Sequence, residues 1–278
     1  MSDLARLIIA ALEWDAALGF APAEGEVERA LALGVGGFVL LGGDADAVAA
    51  LTARLRAAAR HPLLIMAAPH AGATAPGARD ALAVSAAARQ GAREARGVGA
   101  NWVMAPVDAV DAVQREGVLA CIGRFPGETR AAPAPRGAPS TVMATRDELE
   151  RDLAPYLDAI DAGAASLMTA HVAYPALDAS GAPATASHAI VHGVLRQAYG
   201  FEGLIVTAPL VEGSGWEPRG EGHMAARAVA AGCDLLFHPN DPAAVLHGLE
   251  VAAGRTVPRA QLDASLARRD HWARWAEG

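Results

Sequence analysis

Cysteine is scarce. The 278 residues carry two, Cys121 and Cys233, each inside an apolar run, with no Cys-x-x-Cys pair and no zinc-finger spacing. That excludes a disulfide-stapled scaffold and a zinc ribbon, and leaves two small buried hydrophobes in a reducing compartment. A basic face is also missing: the net charge is −8, with basic residues scattered among acidic ones. Nucleic acid and anionic membrane are therefore excluded as partners. The adjacent pair Arg268-Arg269 reads as a solvated helix face. Near the N-terminus, Leu7–Leu12 is too short for a signal core and far too short for a membrane span. The expectation is a soluble, cytoplasmic protein.

Several chemical signatures are absent too. No glycine-rich dinucleotide fingerprint follows the first strand-like run, which weakens an open doubly wound sheet. There is no Gly-x-Ser-x-Gly elbow, and no His-x-His or His-Glu-x-x-His spacing. Gly213-Ser-Gly215 has too little around it to be a phosphate cradle. No cofactor and no metal are expected.

What is present is a rhythm. Hydrophobic residues make up 53% of the chain and charged residues 19%, enough for a large core. Apolar runs of strand length fall near 4–11, 36–41, 63–68, 102–105, 118–122, 166–170, 203–207 and 234–238. They are continuous rather than alternating, as in parallel strands covered on both faces. Amphipathic segments lie between them near 24–33, 45–60, 80–97, 146–162, 187–199, 222–231 and 241–253. Thr145-x-x-Glu148 is a capping box, Ser187 can cap a helix, and Asp241-Pro242 puts proline at a first helical position. Gly97, Gly163, Gly200 and Gly232 stand where helices must stop.

Eight strands alternating with helices predict a TIM-type (β/α)8 barrel in a single domain over 1–255, with one abridged βα unit around 105–118. A C-terminal helical tail, 256–278, carries Trp272 and Trp275 at helical spacing for packing on the barrel. The Pro-rich stretch Phe125–Ser140 follows the fifth strand and is placed over the mouth, where loops after strands gather.

The words of the sequence resemble one family. Gly36-Gly37, Ala105-Pro106-Val107, Phe125-Pro126-Gly127, Ala170-His171-Val172, Tyr174-Pro175, Leu195-Arg196, Gly200-Phe201-Glu-Gly203 and Ala231-Gly232-Cys-Asp234 are similar to glycoside hydrolase family 3, and most to its bacterial β-N-acetylhexosaminidase branch. The resemblance implies a retaining glycosidase with a carboxylate nucleophile and an acid/base. It places the nucleophile, an aspartate after the seventh strand, at Ala208, next to Pro209. It places the branch's catalytic histidine at Glu128, and its sugar-gripping lysine and histidine at Gly123 and Arg124. The aspartate and arginine of the motif after the third strand fall on Ala68 and Ala73.

The resemblance therefore implies a kept scaffold with an emptied site: a pseudoenzyme binding an amino sugar or muropeptide-type small molecule, or a protein partner. The polar residues that remain at strand ends are His70, Asp108, Arg124, Glu128, His171, Thr207, Glu212 and His238. A rebuilt glycosidase site would use Glu128 with Asp108 or Glu212, while His70, Arg124, His171, Thr207 and His238 would contact ligand. A metal-dependent hydrolase using His70, His171 and His238 is a third reading. His188, His192, His223 and His247 fall on predicted helices and are read as surface residues.

Overall fold

The computed structural model describes residues 2–67, 81–128, 130–132, 137–215 and 217–277. Eight parallel strands make the wall: β1 (Ile8–Glu13), β2 (Gly37–Leu41), β3 (Leu64–Ala67), β4 (Trp102–Met104), β5 (Leu119–Phe125), β6 (Ser166–Thr169), β7 (Leu204–Val206) and β8 (Leu236–Phe237). Each pairs with the next from β1 to β7, β8 pairs with β1 at Ile8–Leu236, and a parallel bridge from Val206 to Leu235 closes the ring. The barrel is the one that the sequence rhythm predicts.

The continuous apolar runs follow from the pleat. Successive side chains of a strand point to opposite faces. Ile8, Ala10 and Leu12 join the layer under the helices, while Ile9 faces a second cluster with Val39, Leu64, Met66, Trp102, Leu119, Cys121, Met168, Val206 and Phe237. That second cluster fills the lumen. Both faces being dry, both are mainly apolar, and the hydroxyls of Ser166 and Thr169 in β6 are buried with hydrogen-bond partners. The thiols of Cys121 and Cys233 are free and fully buried, and burial pushes the Cys121 thiol up to about 12.

The α-helices are α1 (Glu24–Leu33), α2 (Ala45–Ala58), α3 (Ala81–Gly97), α4 (Val110–Gln114), α5 (Arg146–Asp161), α6 (Glu221–Ala231), α7 (Pro242–Ala252) and α8 (Arg259–Trp275). The Thr145–Glu148 capping box is complete, and the Asp241 carboxylate accepts from the amides of Ala243 and Ala244. Ser187 accepts from the Ile190 amide, but the helix it starts, Ala189–Ala198, is π-wound rather than α. The abridged unit is there: β4 and β5 are joined by one 3-10 turn and the five-residue α4.

Other differences have local causes. Residues Asp3–Leu7 form a 3-10 turn, so the first strand starts at Ile8 and runs on to Glu13. Gly97 is the last residue of α3, and the left-handed turn after it is made by Gly99 at φ +79°. Helices α6 and α7 cross at two glycines: a Cβ on Gly248 would lie 2.2 Å from the Gly222 carbonyl oxygen.

The largest correction concerns Arg268-Arg269, which is not a solvated pair. Arg269 is 0% exposed and donates to the carbonyls of Gly36 and Pro62, at the start of β2 and β3. Arg268 reaches Asp234 with its Nη1 at 2.7 Å from Oδ1. Helix α8 seals the base of the barrel: Ala273 belongs to the lumen cluster and Trp272 packs against it.

Candidate functional site

The mouth is built from the C-terminal ends of the strands. The pairing of β5 with β6 slips by one residue, Gly123 opposing Met168 and Phe125 opposing Thr169, so Arg124 is the extra residue of a bulge. Bulges re-aim a side chain, and Arg124 reaches across to the loop after β7. Its Nη1 and Nη2 donate to Glu212 Oε2 and Oε1 at 2.7 and 2.9 Å, a fork on a carboxylate. The same Nη1 is 3.5 Å from Glu128 Oε1. Burial works against the guanidinium's charge, but the bonds to Glu212 and the field of Glu128 outweigh it and raise its pKa.

Two tyrosines hold the loop that carries this pair. The Tyr156 hydroxyl donates to the Arg124 carbonyl at 2.9 Å and the Tyr174 hydroxyl to the Gly127 carbonyl at 2.7 Å. Phe125 stands edge-on to Tyr156 with centroids 5.2 Å apart. Burial, then the charges of Glu128 and Asp152, push the Tyr156 phenol up to about 12, so it stays a donor. Sequence reasoning did not single out Tyr156. Its only signal was position: an aromatic on the helix that returns past β5.

His171 ties the loops after β6 and β7 together. Its Nε2 lies 3.1 Å from the Pro209 carbonyl oxygen, which can only accept, so Nε2 carries the hydrogen. Burial pulls the imidazole down to about 4, despite the Pro209 bond and the Glu212 charge. The turn bearing Glu212 comes this close because of Gly213, where a Cβ would sit 2.4 Å from Met224 Sδ and 3.3 Å from His171 Nε2.

The remaining candidates are dispersed. Thr207 is fully buried, and its hydroxyl accepts from the Phe237 amide at 2.9 Å. It locks β7 to β8 rather than facing the open mouth. His238 is half-buried at the end of β8, in the field of Glu13, Glu212 and Glu221, while burial lowers its pKa. Asp108 is exposed in the turn after β4, apart from the Arg124 network. His70, Ala68 and Ala73 lie outside the described residues. Among the described residues no three His, Cys, Asp or Glu side chains gather as a metal-binding group. Ala208 is 0% exposed at the exit of β7.

Part of the Pro-rich stretch folds beside this mouth. Ser140–Thr141 pairs with Val172–Ala173, and Arg130 docks on α5 through Asp152 and Glu148. A cavity of about 1010 Å³ starts at the mouth's edge, at Glu13 and His238, and runs between α1 and the start of α7 over Ala10, Ala30 and Pro242. The Arg124 network is not part of its lining.

Residues 107–269 match the glycosyl hydrolase family 3 N-terminal domain. The chain belongs to this family. It is 31% identical over 169 residues to a β-hexosaminidase of Xanthomonas campestris pv. campestris (strain B100), covering 57% of this chain and 47% of that protein. Over 93 residues it is 36% identical to a β-hexosaminidase of Nitrosomonas eutropha, covering 34% of this chain and 26% of the relative. The chain thus spans at most about half the length of these curated relatives.

Among solved structures it resembles a family 3 β-N-acetylglucosaminidase from Paenibacillus sp. str. FPU-7, with TM-score 0.87 and 25% identity over 99% of this chain and 62% of that one. It also shares the fold of the β-N-acetylhexosaminidase from Beutenbergia cavernae DSM 12333, with TM-score 0.80 and 22% identity over 96% of both chains. No helix among the described residues is long and apolar enough to cross a membrane.

Proposed function

We propose that this family 3 barrel binds an amino sugar or muropeptide-type fragment at its mouth without carrying out the family's retaining hydrolysis, acting as a binder or as the partner of another protein. One observation carries the reading. The position that resemblance assigns to the nucleophile is Ala208, a buried methyl group, and the next carboxylate on that loop, Glu212, is held in the fork of Arg124. Retaining hydrolysis needs a free carboxylate to attack the anomeric carbon and an acid/base to protonate the leaving oxygen. A methyl group cannot attack, and a clamped carboxylate is not poised to. The two buried cysteines, neither in a disulfide, favour a cytoplasmic setting.

The supporting experiment is a thermal-shift screen against N-acetylglucosamine and muropeptide fragments, since a ligand of the folded state raises the melting temperature. Saturable shifts that weaken in Arg124→Met are expected. Silence across the sugar panel would sink the binder reading.

A second reading is favoured by one specific observation. The Glu128 carboxylate is 40% exposed and stands 3.5 Å from Arg124, so it is available to a ligand. On this reading Glu128 has taken over acid/base work. Turnover of an aryl β-N-acetylglucosaminide at high protein concentration, compared with Glu128→Ala, separates the two: hydrolysis abolished by the substitution favours the rebuilt enzyme, and no turnover by either protein favours the binder.

A further inference from the structure

At the base of the barrel, away from the mouth, a cavity of about 330 Å³ opens between the π-wound helix, the end of α6 and α8. Its chemistry is set by His188, His192, Arg196, Ser265 and Arg268. The carboxylate behind it, Asp234, is fully buried and saturated: it accepts from Arg196 Nη2 at 2.5 Å, Arg268 Nη1 at 2.7 Å, Ser265 Oγ at 2.7 Å and the Ile205 amide at 2.9 Å. One negative charge therefore faces two guanidiniums, and no lone pair of it points to a newcomer.

The two arginines are not equivalent. Arg196 spends its Nη1 on the carbonyls of Phe201 and Gly203 and is nearly enclosed. Arg268 lines the cavity with 36% of its side chain exposed and gives one nitrogen to Asp234. A guanidinium offers five N–H groups, so donors remain on it. Also lining the cavity are the rings of His188 and His192, tilted 32° to each other with centroids 4.7 Å apart. They add nitrogen donors and no acidic group.

A pair of histidines four residues apart also suggests a divalent cation, but two guanidiniums on the same wall repel one. An anion meets the opposite situation. The chain as a whole is acidic, with net charge −8, and its 23 basic residues are all arginine, the side chain suited to gripping phosphate or carboxylate with two parallel bonds. We propose that this base cavity binds an oxyanion, held by Arg268 with His188 and His192. The cavity is at the low end of ligand-pocket sizes and exceeds a bare phosphate, so it fits a small phosphorylated or carboxylated molecule. The site is independent of the reading given to the mouth.

The test is calorimetric titration of the full chain with sodium phosphate, sodium sulfate and sodium acetate, each against sodium chloride of equal ionic strength. Saturable binding of at least one oxyanion is expected, with chloride inert. Phosphate tighter than acetate assigns a phosphate-bearing ligand, and the reverse order assigns a carboxylate. His188→Leu/His192→Leu removes the ring donors, which glutamine would partly replace, without touching the Asp234 network, so the fold should persist while affinity drops about tenfold. Arg268→Gln should weaken binding at least as much. No saturable heat from any oxyanion, or unchanged affinity in both variants, would overturn the proposal.

Discussion

At the base of the barrel Arg196 and Arg268 converge on Asp234, with Ser265 and a backbone amide completing its shell. At the mouth Arg124 grips Glu212 and stands near Glu128. Both are arginine–carboxylate clusters spanning elements far apart in the chain, yet the first carboxylate is 0% exposed and the second is 46% exposed. Burial makes a charge costly to leave unpaired, while water makes it cheap. The base cluster is therefore the one whose disruption should cost stability, and the mouth cluster the one that stays open to solvent.

That contrast can be broken by mutation. The largest effect belongs to Asp234→Asn, which keeps the shape and leaves two guanidiniums without their counter-charge. A loss of about 3–5 kcal/mol is expected in urea unfolding, and a loss under about 1 kcal/mol would mean the base is as tolerant as the mouth.

Next is the buried imidazole of His171. Above pH 6.5 it is neutral folded and unfolded. As pH falls from 6.5 towards about 4, the unfolded chain takes up a proton that burial denies the fold, so stability is lost across that window. The loss is at most about 3 kcal/mol near pH 4, and His171→Gln should flatten this part of the pH profile. An unchanged slope would refute the assignment.

Gly248→Ala sets two effects against each other. Alanine improves helix propensity by about 1 kcal/mol, but the new Cβ would lie 2.2 Å from the Gly222 carbonyl oxygen. Overpacking costs about 1–3 kcal/mol, so a net fall in melting temperature is expected, and a rise would show that the helices separate freely. Smallest is Glu212→Gln. Its partner Arg124 is partly exposed, and such pairs contribute about 0–1 kcal/mol. The melting temperature should barely move.

How much of this was legible in the sequence divides along the same line. The barrel was, because lumen and helix layer are both apolar and each strand therefore announces itself as an unbroken run. Helix starts were legible where a side chain caps its own neighbour, as at Thr145 and Asp241. Arg269 was misread because its partners, the carbonyls of Gly36 and Pro62, are backbone atoms that leave no mark in a one-letter code. Thr207 looked like a mouth residue from its place at a strand end, but its hydroxyl is turned to the Phe237 amide. Arg124 and Glu212 were both singled out, but not as partners: 88 residues separate them, and only the bulge at Arg124 and the close approach at Gly213 bring them together. Resemblance carried what spacing could not, namely which positions to compare with a working glycosidase.

The seal formed by α8 also has a kinetic consequence. Arg269 meets the Gly36 carbonyl across 233 residues of chain, and the lumen cluster includes Ala273. Contacts so remote in sequence form late and slow the search for the native state. During synthesis the carbonyls beginning β2 and β3 must wait, and the lumen stays open at its floor, until residue 269 has been made. A nascent chain stalled before α8 should therefore be a binding target for chaperones, with its barrel drawn but not shut.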